Sequence, residues 1–343
     1  MAPTIRQFTD KHASAWDRFV SAAPNGTFFH MTGWHDVIEA AFRHRAHYVF
    51  AEQDGAITGI LPLVHVKSAL FGSRLLSLPF CVYGGPLATE AESTVALVNY
   101  SIDLAQRLGV RAIEFRSREP IVDDWITRSD LYATFRKAIS GNSDDNLKSI
   151  PRKQRAVVRK GLENELDVSF VANVDRFHRI YAESVRNLGT PVFSRKYVRL
   201  LMDRFRDCAE ITTISDRDVP IASVLSFYFR DEVLPYYGGG RPLARRRAAY
   251  DLMYWEVMKR AVHRGMRVFD FGRSKFGTGS FAFKKNWGFI PQELSYQYRV
   301  KPGATVPDHN PLNPKYRLMI NAWKRIPMPL ANLIGPAIVR GIG

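Results

Sequence analysis

One pattern of elements occurs twice along this chain, and that duplication constrains the fold more than anything else in it. In the first half YVFAEQDGAITGILPLV reads as strand, turn at Asp54-Gly55 and strand, and in the second EITTISDRDVPIASVLSFYF repeats it, aligning Asp54 with Asp218 and Ile57 with Ile221. Downstream, Val95, Val98, Ile102 and Ala105 recur at helical spacing, Gly109 is the helix stop, and VRAIEFRS has the run of a buried strand. Leu252, Trp255, Met258 and Val262, then Gly265, then MRVFDFGRS repeat that grammar. Gly109, Arg111, Glu114 and Phe115 thus match Gly265, Arg267, Asp270 and Phe271. An antiparallel hairpin followed by a helix and a parallel strand makes a mixed sheet flanked by helices, an α/β (α+β) unit present in two copies.

The length, 343 residues, suits two domains of ordinary size. The polar, turn-rich stretch SGNSDDN (Ser140 to Asn146) predicts the boundary, giving domains over 1–145 and 146–300. Beyond them KPGATVPDHNPLNPK predicts a proline-rich arm over 301–343, followed by a short helix from Lys315 to Arg325. That helix groups Leu318, Met319, Ala322 and Trp323 toward one face, for docking on the second domain. The tail Ile326 to Ile342 is apolar but broken by Pro327, Pro329, Gly335 and Pro336, so a surface contact with a membrane is open to it and a span is not.

Cys81 and Cys208 lack ligand spacing, which speaks against a disulfide framework or a metal site, and the first residues lack the apolar block of a secretory signal. The expected setting is the cytoplasm, at the inner face of the membrane if the tail touches one. A net charge of +16 predicts a phosphate-bearing partner: tRNA, a nucleotide-linked precursor or a lipid-linked one.

Two segments of the second half carry candidate chemistry. IPRKQRAVVRKG places Arg152, Arg155 and Arg159 three and four apart on one helix face, in a run from Asn146 to Gly161 that contains no acid. LPYYGGGRPLARRRAAYDLMYWEV, continuing through MRVFDFGRSKFGTGSFAFKKNWGF, contains an aromatic strand ending Tyr237-Gly238-Gly239, the pair Trp255-Glu256, a strand end Asp270-Phe271-Gly272, and Phe283-Lys284 before Trp287-Gly288. In these elements the chain resembles the FemAB family, whose members carry two tandem GNAT-like (acyl-CoA N-acyltransferase) folds. FFHMTGWHDVI and VYGGPL in the first half are weaker echoes of the same family. IPRKQRAVVRKG, NLGTPVF and FGRSKFGTGSFAFKKNWGF resemble more narrowly the FemAB-related proteins associated with PEP-CTERM/exosortase systems, which occur with exopolysaccharide clusters.

The resemblance implies transfer of an acyl group, in the best understood members an aminoacyl group from aminoacyl-tRNA, onto an amine of a cell-envelope precursor. Such a reaction needs alignment, a route for a proton and a positive group where the oxyanion develops. Lys284, matching the family's Phe-Lys, is the candidate for the oxyanion; a solvated strand lysine is the plain alternative. Were this segment extended, Lys285 would face the other way and serve the substrate at most. Tyr237 is the candidate relay or substrate hydrogen bonder, with Tyr236 turned to the core. Asp270 either serves the site, with Arg273 just outside it, or caps a turn. Asn187 and Thr190, read as part of an inter-helix loop, are substrate candidates alongside the Arg152, Arg155 and Arg159 stripe.

No cofactor is expected to be tightly bound, and the acyl donor is either aminoacyl-tRNA or acyl-CoA. The Arg/Gln-x-x-Gly-x-Gly/Ala loop that holds coenzyme A on backbone amides in ordinary acetyltransferases is absent after either hairpin, which disfavours acyl-CoA. The nearest substitute, RSKFGTGS from Arg273 to Ser280, has the wrong spacing, and Gly238, Gly239 and Gly240 with Arg241 are the other phosphate site open to it. A non-catalytic binder of tRNA or an anionic glycan through the arginine stripe is the reading from another functional class.

Overall fold

The structure is a computed structural model and describes residues 2–68, 72–306 and 314–343. The chain divides into two compact units. The first comprises Met1–Leu131, Glu293–His309 and Arg340–Gly343, the second Tyr132–Gln292 and Asn310–Val339.

In the first unit the hairpin of Arg45–Gln53 and Ala56–Ser68 is followed by Gly72–Ser77, the helix Ala91–Leu108 and the strand Ala112–Ser117. That last strand runs parallel to Gly72–Ser77, with Leu75 opposite Ile113. Gly109 ends the helix at φ 62, a left-handed conformation that costs glycine little. The second unit repeats the sequence of elements. Ala209–Asp216 and Val219–Phe229 form the hairpin, and Glu232–Gly240, the helix Ala249–His263 and the parallel strand Val268–Asp270 follow. Leu252, Trp255, Met258, Phe269 and Phe271 pack into one buried cluster, as the predicted helix and strand periodicities require.

The two hairpins superpose one residue away from the expected alignment. Thr58 is the bulged residue between Ala51↔Gly59 and Glu52↔Ile57, and Ile221 is bulged between Ile214↔Ala222 and Ser215↔Pro220. Gly55 therefore corresponds to Asp218 and Thr58 to Ile221. The turns Asp54-Gly55 and Arg217-Asp218 all have positive φ, the geometry that a two-residue hairpin turn demands. Composition alone aligned the two aspartates; the bulge decides otherwise.

The unit boundaries also differ from 145/146 and 300/301. Arg136–Ala138 pairs antiparallel with Val268–Asp270, so residues ahead of the polar stretch belong to the second sheet. Ser295–Val300 pairs antiparallel with Ala112–Ser117 over six residues and with Ile126–Arg128 on its other side, and so belongs to the first sheet. The stretch read as a linker starts the helix Ser143–Ser149 instead, with the Asn142 side chain accepting from the Asp144 amide at 2.8 Å.

Of the proline-rich arm, residues 307–313 lie outside the described residues. Helices Pro314–Trp323 and Met328–Ile342 follow, the second running through Pro336. Only Trp323 of the four residues grouped on the first of these helices docks: it is buried and its indole N–H donates to the Thr190 carbonyl at 3.0 Å, whereas Leu318, Met319 and Ala322 are exposed.

Candidate active site

In the second unit the parallel strands Glu232–Gly240 and Val268–Asp270 pair over two positions, Glu232↔Val268 and Val233↔Phe269. Past Phe269 they are no longer paired, and the segment after Asp270 carries Arg273, Lys284 and Lys285.

Asp270 is 1% exposed. One carboxylate oxygen accepts from the Gly272 amide at 2.7 Å and from the Thr134 hydroxyl at 3.2 Å, and the other lies 3.4 Å from the Arg136 guanidinium. Asp270 thus caps the turn at Gly272, whose φ of 68 suits glycine. The first unit buries a matching acid, Glu114, whose Oε1 accepts from the Arg116 Nε at 2.7 Å. A buried acid with an arginine at this strand in both units is a property of the duplicated fold.

Lys284 does not lie in an extended segment: Thr278 caps the helix Gly279–Asn286, accepting from the Phe281 amide, and on that helix Lys284 points inward while Lys285 is exposed. The helix separates the two lysines much as a strand would, by about 100° per residue instead of 180°. The Lys284 ammonium donates to the Gly272 carbonyl at 2.9 Å and the Arg273 carbonyl at 3.1 Å, and sits 5.4 Å from the Phe135 ring centroid. Burial lowers its pKa to about 7, opposed by the negative charge of Asp270 and assisted by the positive charge of Arg273. Of the three N–H bonds of an ammonium, two are therefore engaged. The Arg273 guanidinium lies 4.7 Å over the Tyr132 ring.

Tyr237 belongs to a separate cluster. A bulge between Leu225↔Tyr237 and Ser226↔Pro235 leaves Tyr236 as the extra residue, which breaks the alternation expected of adjacent strand positions. The rings of Tyr236 and Tyr237 lie 4.5 Å apart. Tyr237 packs against Tyr181, Phe193 and Tyr197, and its hydroxyl is 2.9 Å from that of Tyr197. Both tyrosines therefore join one aromatic wall built with helices Val174–Leu188 and Arg195–Arg204.

Packing accounts for the glycines next in line. A Cβ on Gly238 would come 2.8 Å from the Tyr254 hydroxyl, one on Gly239 2.8 Å from the Ser184 Cβ, and one on Gly240 2.7 Å from the Tyr250 ring. Helices thus press on both faces of the strand where it has no side chains. Arg241 turns to Glu183, with Nε 3.1 Å from the carboxylate.

The arginine stripe forms as expected on the helix Arg152–Glu163. Its inner face is fixed by buried Val158 and by Gly161, where a Cβ would lie 3.0 Å from Leu252. Arg152, Arg155 and Arg159 line an open depression of about 430 Å³ with Ala156 and Glu163, and none of the three is paired with a carboxylate among the described residues. Asn187 lies in the last turn of Val174–Leu188 and not in a loop, and it is exposed. Thr190 is in the loop, where its carbonyl holds Trp323.

Thr134, Phe135 and Arg136 surround Asp270 and Lys284 yet escaped the sequence reading, because they come from the far side of the expected boundary, 136 residues from Asp270 in the case of Thr134. Ser274 escaped it too. It is buried one residue past Arg273, with its hydroxyl unpartnered among the described residues.

Residues 146–285 match the family described as the acetyltransferase (GNAT) domain. No curated protein matches the chain by sequence. Among solved structures the chain is similar to a FemX protein, at 17% identity and a TM-score of 0.66, with 87% of this chain and 97% of that one covered. It is similar to the C-terminal domain of a putative lysylphosphatidylglycerol synthetase from Agrobacterium fabrum, at 11% identity and a TM-score of 0.57, covering 85% and 93%. A tandem GNAT protein from the clavulanic acid biosynthesis pathway aligns at 12% identity and a TM-score of 0.56, covering 89% and 100%. The chain is thus a mixed α/β protein of GNAT-like folds, with mixed sheets flanked by helices, and its second half carries an acetyltransferase (GNAT) domain.

Proposed function

We propose that the protein is an acyltransferase of the FemAB kind, moving an aminoacyl or other acyl group onto an amine of a cell-envelope or exopolysaccharide precursor. The observation that carries this reading is Lys284, a buried ammonium held by two backbone carbonyls just past the end of the parallel strand Val268–Asp270. In this reading the neutral amine of the acceptor attacks the acyl carbon and a C–N bond forms. The bond from that carbon to the donor's ester oxygen or thioester sulfur breaks, and the departing atom takes up the proton that the amine gives away. The third N–H of Lys284 stabilises the oxyanion between these steps, an effect worth about 3–4 kcal/mol for one well-placed donor. With its pKa near 7, Lys284 loses that capacity as the pH rises. The aromatic wall at Tyr237 orients the acceptor, and Arg152, Arg155 and Arg159 receive phosphates of the donor or the precursor.

The domain match favours a second reading of the donor, acyl-CoA, since the matched family is described as acetyltransferases. The packed glycines at 238–240 speak against a pyrophosphate cradle at that strand end, which is taken up by Tyr250 and Tyr254, and so leave aminoacyl-tRNA as the alternative donor. Incubating the purified protein with charged tRNA or acyl-CoA and envelope-precursor amines separates the donors. Lys284→Ala is expected to lower transfer at least about a hundredfold; an unchanged rate would remove Lys284 from the chemistry. Replacing Arg152, Arg155 and Arg159 together with alanine is expected to weaken the phosphate-bearing substrate and to flatten the salt dependence of its binding by about two to three in the log–log slope. An unchanged slope would rule the stripe out as its seat.

A further inference from the structure

The last two helices present an apolar and basic surface that the fold does not use. The pair is anchored at its turn. The Trp323 indole donates to the Thr190 carbonyl, and the Arg186 guanidinium donates to the Lys324 carbonyl at 2.8 Å. Along the helix Met328–Ile342 the buried positions are Ala331, Gly335 and Val339, four apart and small. Gly335 lies so close to the Val192 backbone that a Cβ there would come within 2.9 Å of its nitrogen. This inner stripe fixes the rotation of the helix and sends Leu330 and Leu333 outward, at 45% and 75% exposed. On the preceding helix Leu318 and Met319 are 81% and 65% exposed. Large side chains left in water on two successive helices are a marker of an interaction surface, whereas single ones are ordinary.

Charge decides what the surface meets. From His309 to Gly343 the sequence holds Lys315, Arg317, Lys324, Arg325 and Arg340 and no aspartate or glutamate. Lys324 and Arg325 lie exposed in the turn between the two apolar stretches. A second copy of this chain would bring like charges together, while an anionic bilayer offers both hydrocarbon and countercharge. No helix among the described residues is long and apolar enough to cross a membrane, so the contact lies along the surface.

We propose that the helical pair over Pro314–Trp323 and Met328–Ile342 seats the protein on an anionic phospholipid surface, with Leu318, Met319, Leu330 and Leu333 in the headgroup boundary and Lys324 and Arg325 against lipid phosphates. This inference is independent of the acyl-transfer reading.

Flotation of the full chain with phosphatidylcholine vesicles, and with vesicles in which phosphatidylglycerol replaces part of the lipid, tests it. The protein is expected to float with the anionic vesicles and to stay behind with the neutral ones. Lys324→Glu with Arg325→Glu should lower the partition at least about tenfold, since each cation near the surface counts about fivefold. Leu330→Ser with Leu333→Ser should lower it by a comparable factor, and because these side chains are exposed the fold should tolerate the change. Equal partition onto both vesicle types, or unchanged partition of both variants, would overturn the proposal. So would a concentration-dependent dimer, seen by sedimentation without lipid and abolished by the leucine variant, which would assign the surface to a second copy.

Discussion

Replacing Lys284 with methionine should make the second unit more stable and its candidate site inactive. Unfolded, the lysine has its ordinary pKa of 10.5; folded, burial brings it to about 7. Between those values the unfolded chain binds more protons than the folded one, so native stability rises with pH across that window and is lowest below pH 7. The fall from 10.5 to about 7, at about 1.4 kcal/mol per pH unit, costs the fold about 5 kcal/mol at pH 6 and about 2 kcal/mol at pH 9. Methionine fills the same space without the charge but leaves the Gly272 and Arg273 carbonyls without their donor, a loss of about 1 kcal/mol each. The net expectation is a gain of about 3 kcal/mol at pH 6 that shrinks to about zero at pH 9. Urea denaturation of the wild type and Lys284→Met at the two pH values, followed by tryptophan fluorescence, measures it. A stability difference that is the same at both pH values would refute the reasoning, because it would mean that Lys284 carries no shifted proton.

Gly239→Val tests the close approach of helix and strand: a Cβ 2.8 Å from the Ser184 Cβ and 3.1 Å from the Tyr181 Cα has backbone behind it and should destabilise the second unit by about 1–3 kcal/mol or more. Thermal unfolding reads the effect, and an unchanged midpoint would show that the helix gives way freely. Glu210→Ala removes the carboxylate that accepts from Arg260 at 3.0 Å, Arg264 at 2.7 Å and the Tyr228 hydroxyl at 3.0 Å. Since Glu210 is buried while the two arginines are partly solvated, the expected cost is about 2–4 kcal/mol in denaturant unfolding, and a cost within error of zero would show the network to be dispensable.

The duplicated grammar was legible because each half repeats hairpin, helix and strand with local signals: the stop glycines Gly109 and Gly265, and apolar positions at helical spacing along Leu252, Trp255 and Met258. The bulges at Thr58 and Ile221 were not, since an extra residue in a strand is defined by its partner strand. For the same reason the alternation drawn for Tyr236 and Tyr237 gave way to a shared aromatic wall. Asp270 accepts from the Gly272 amide, a turn-capping contact that local sequence leaves open beside a role in the site. A strand would also have set Lys284 and Lys285 on different sides; the Thr278 cap starts a helix there, and Lys284 is buried on it.

Sequence patterns are enough to read two α/β units, the helix with the arginine stripe, and the segment after the second parallel strand that carries Lys284, because each element is a local pattern of spacing and stop signals. Which strand joins which sheet is a matter of long-range pairing, since Arg136–Ala138 and Ser295–Val300 find their partners more than a hundred residues away. The tertiary structure also decided that Thr134, Phe135 and Arg136 surround the Asp270 turn and Lys284. Hydrogen bonds between distant strands and the burial that lowers a lysine pKa exist only once the chain has closed on itself.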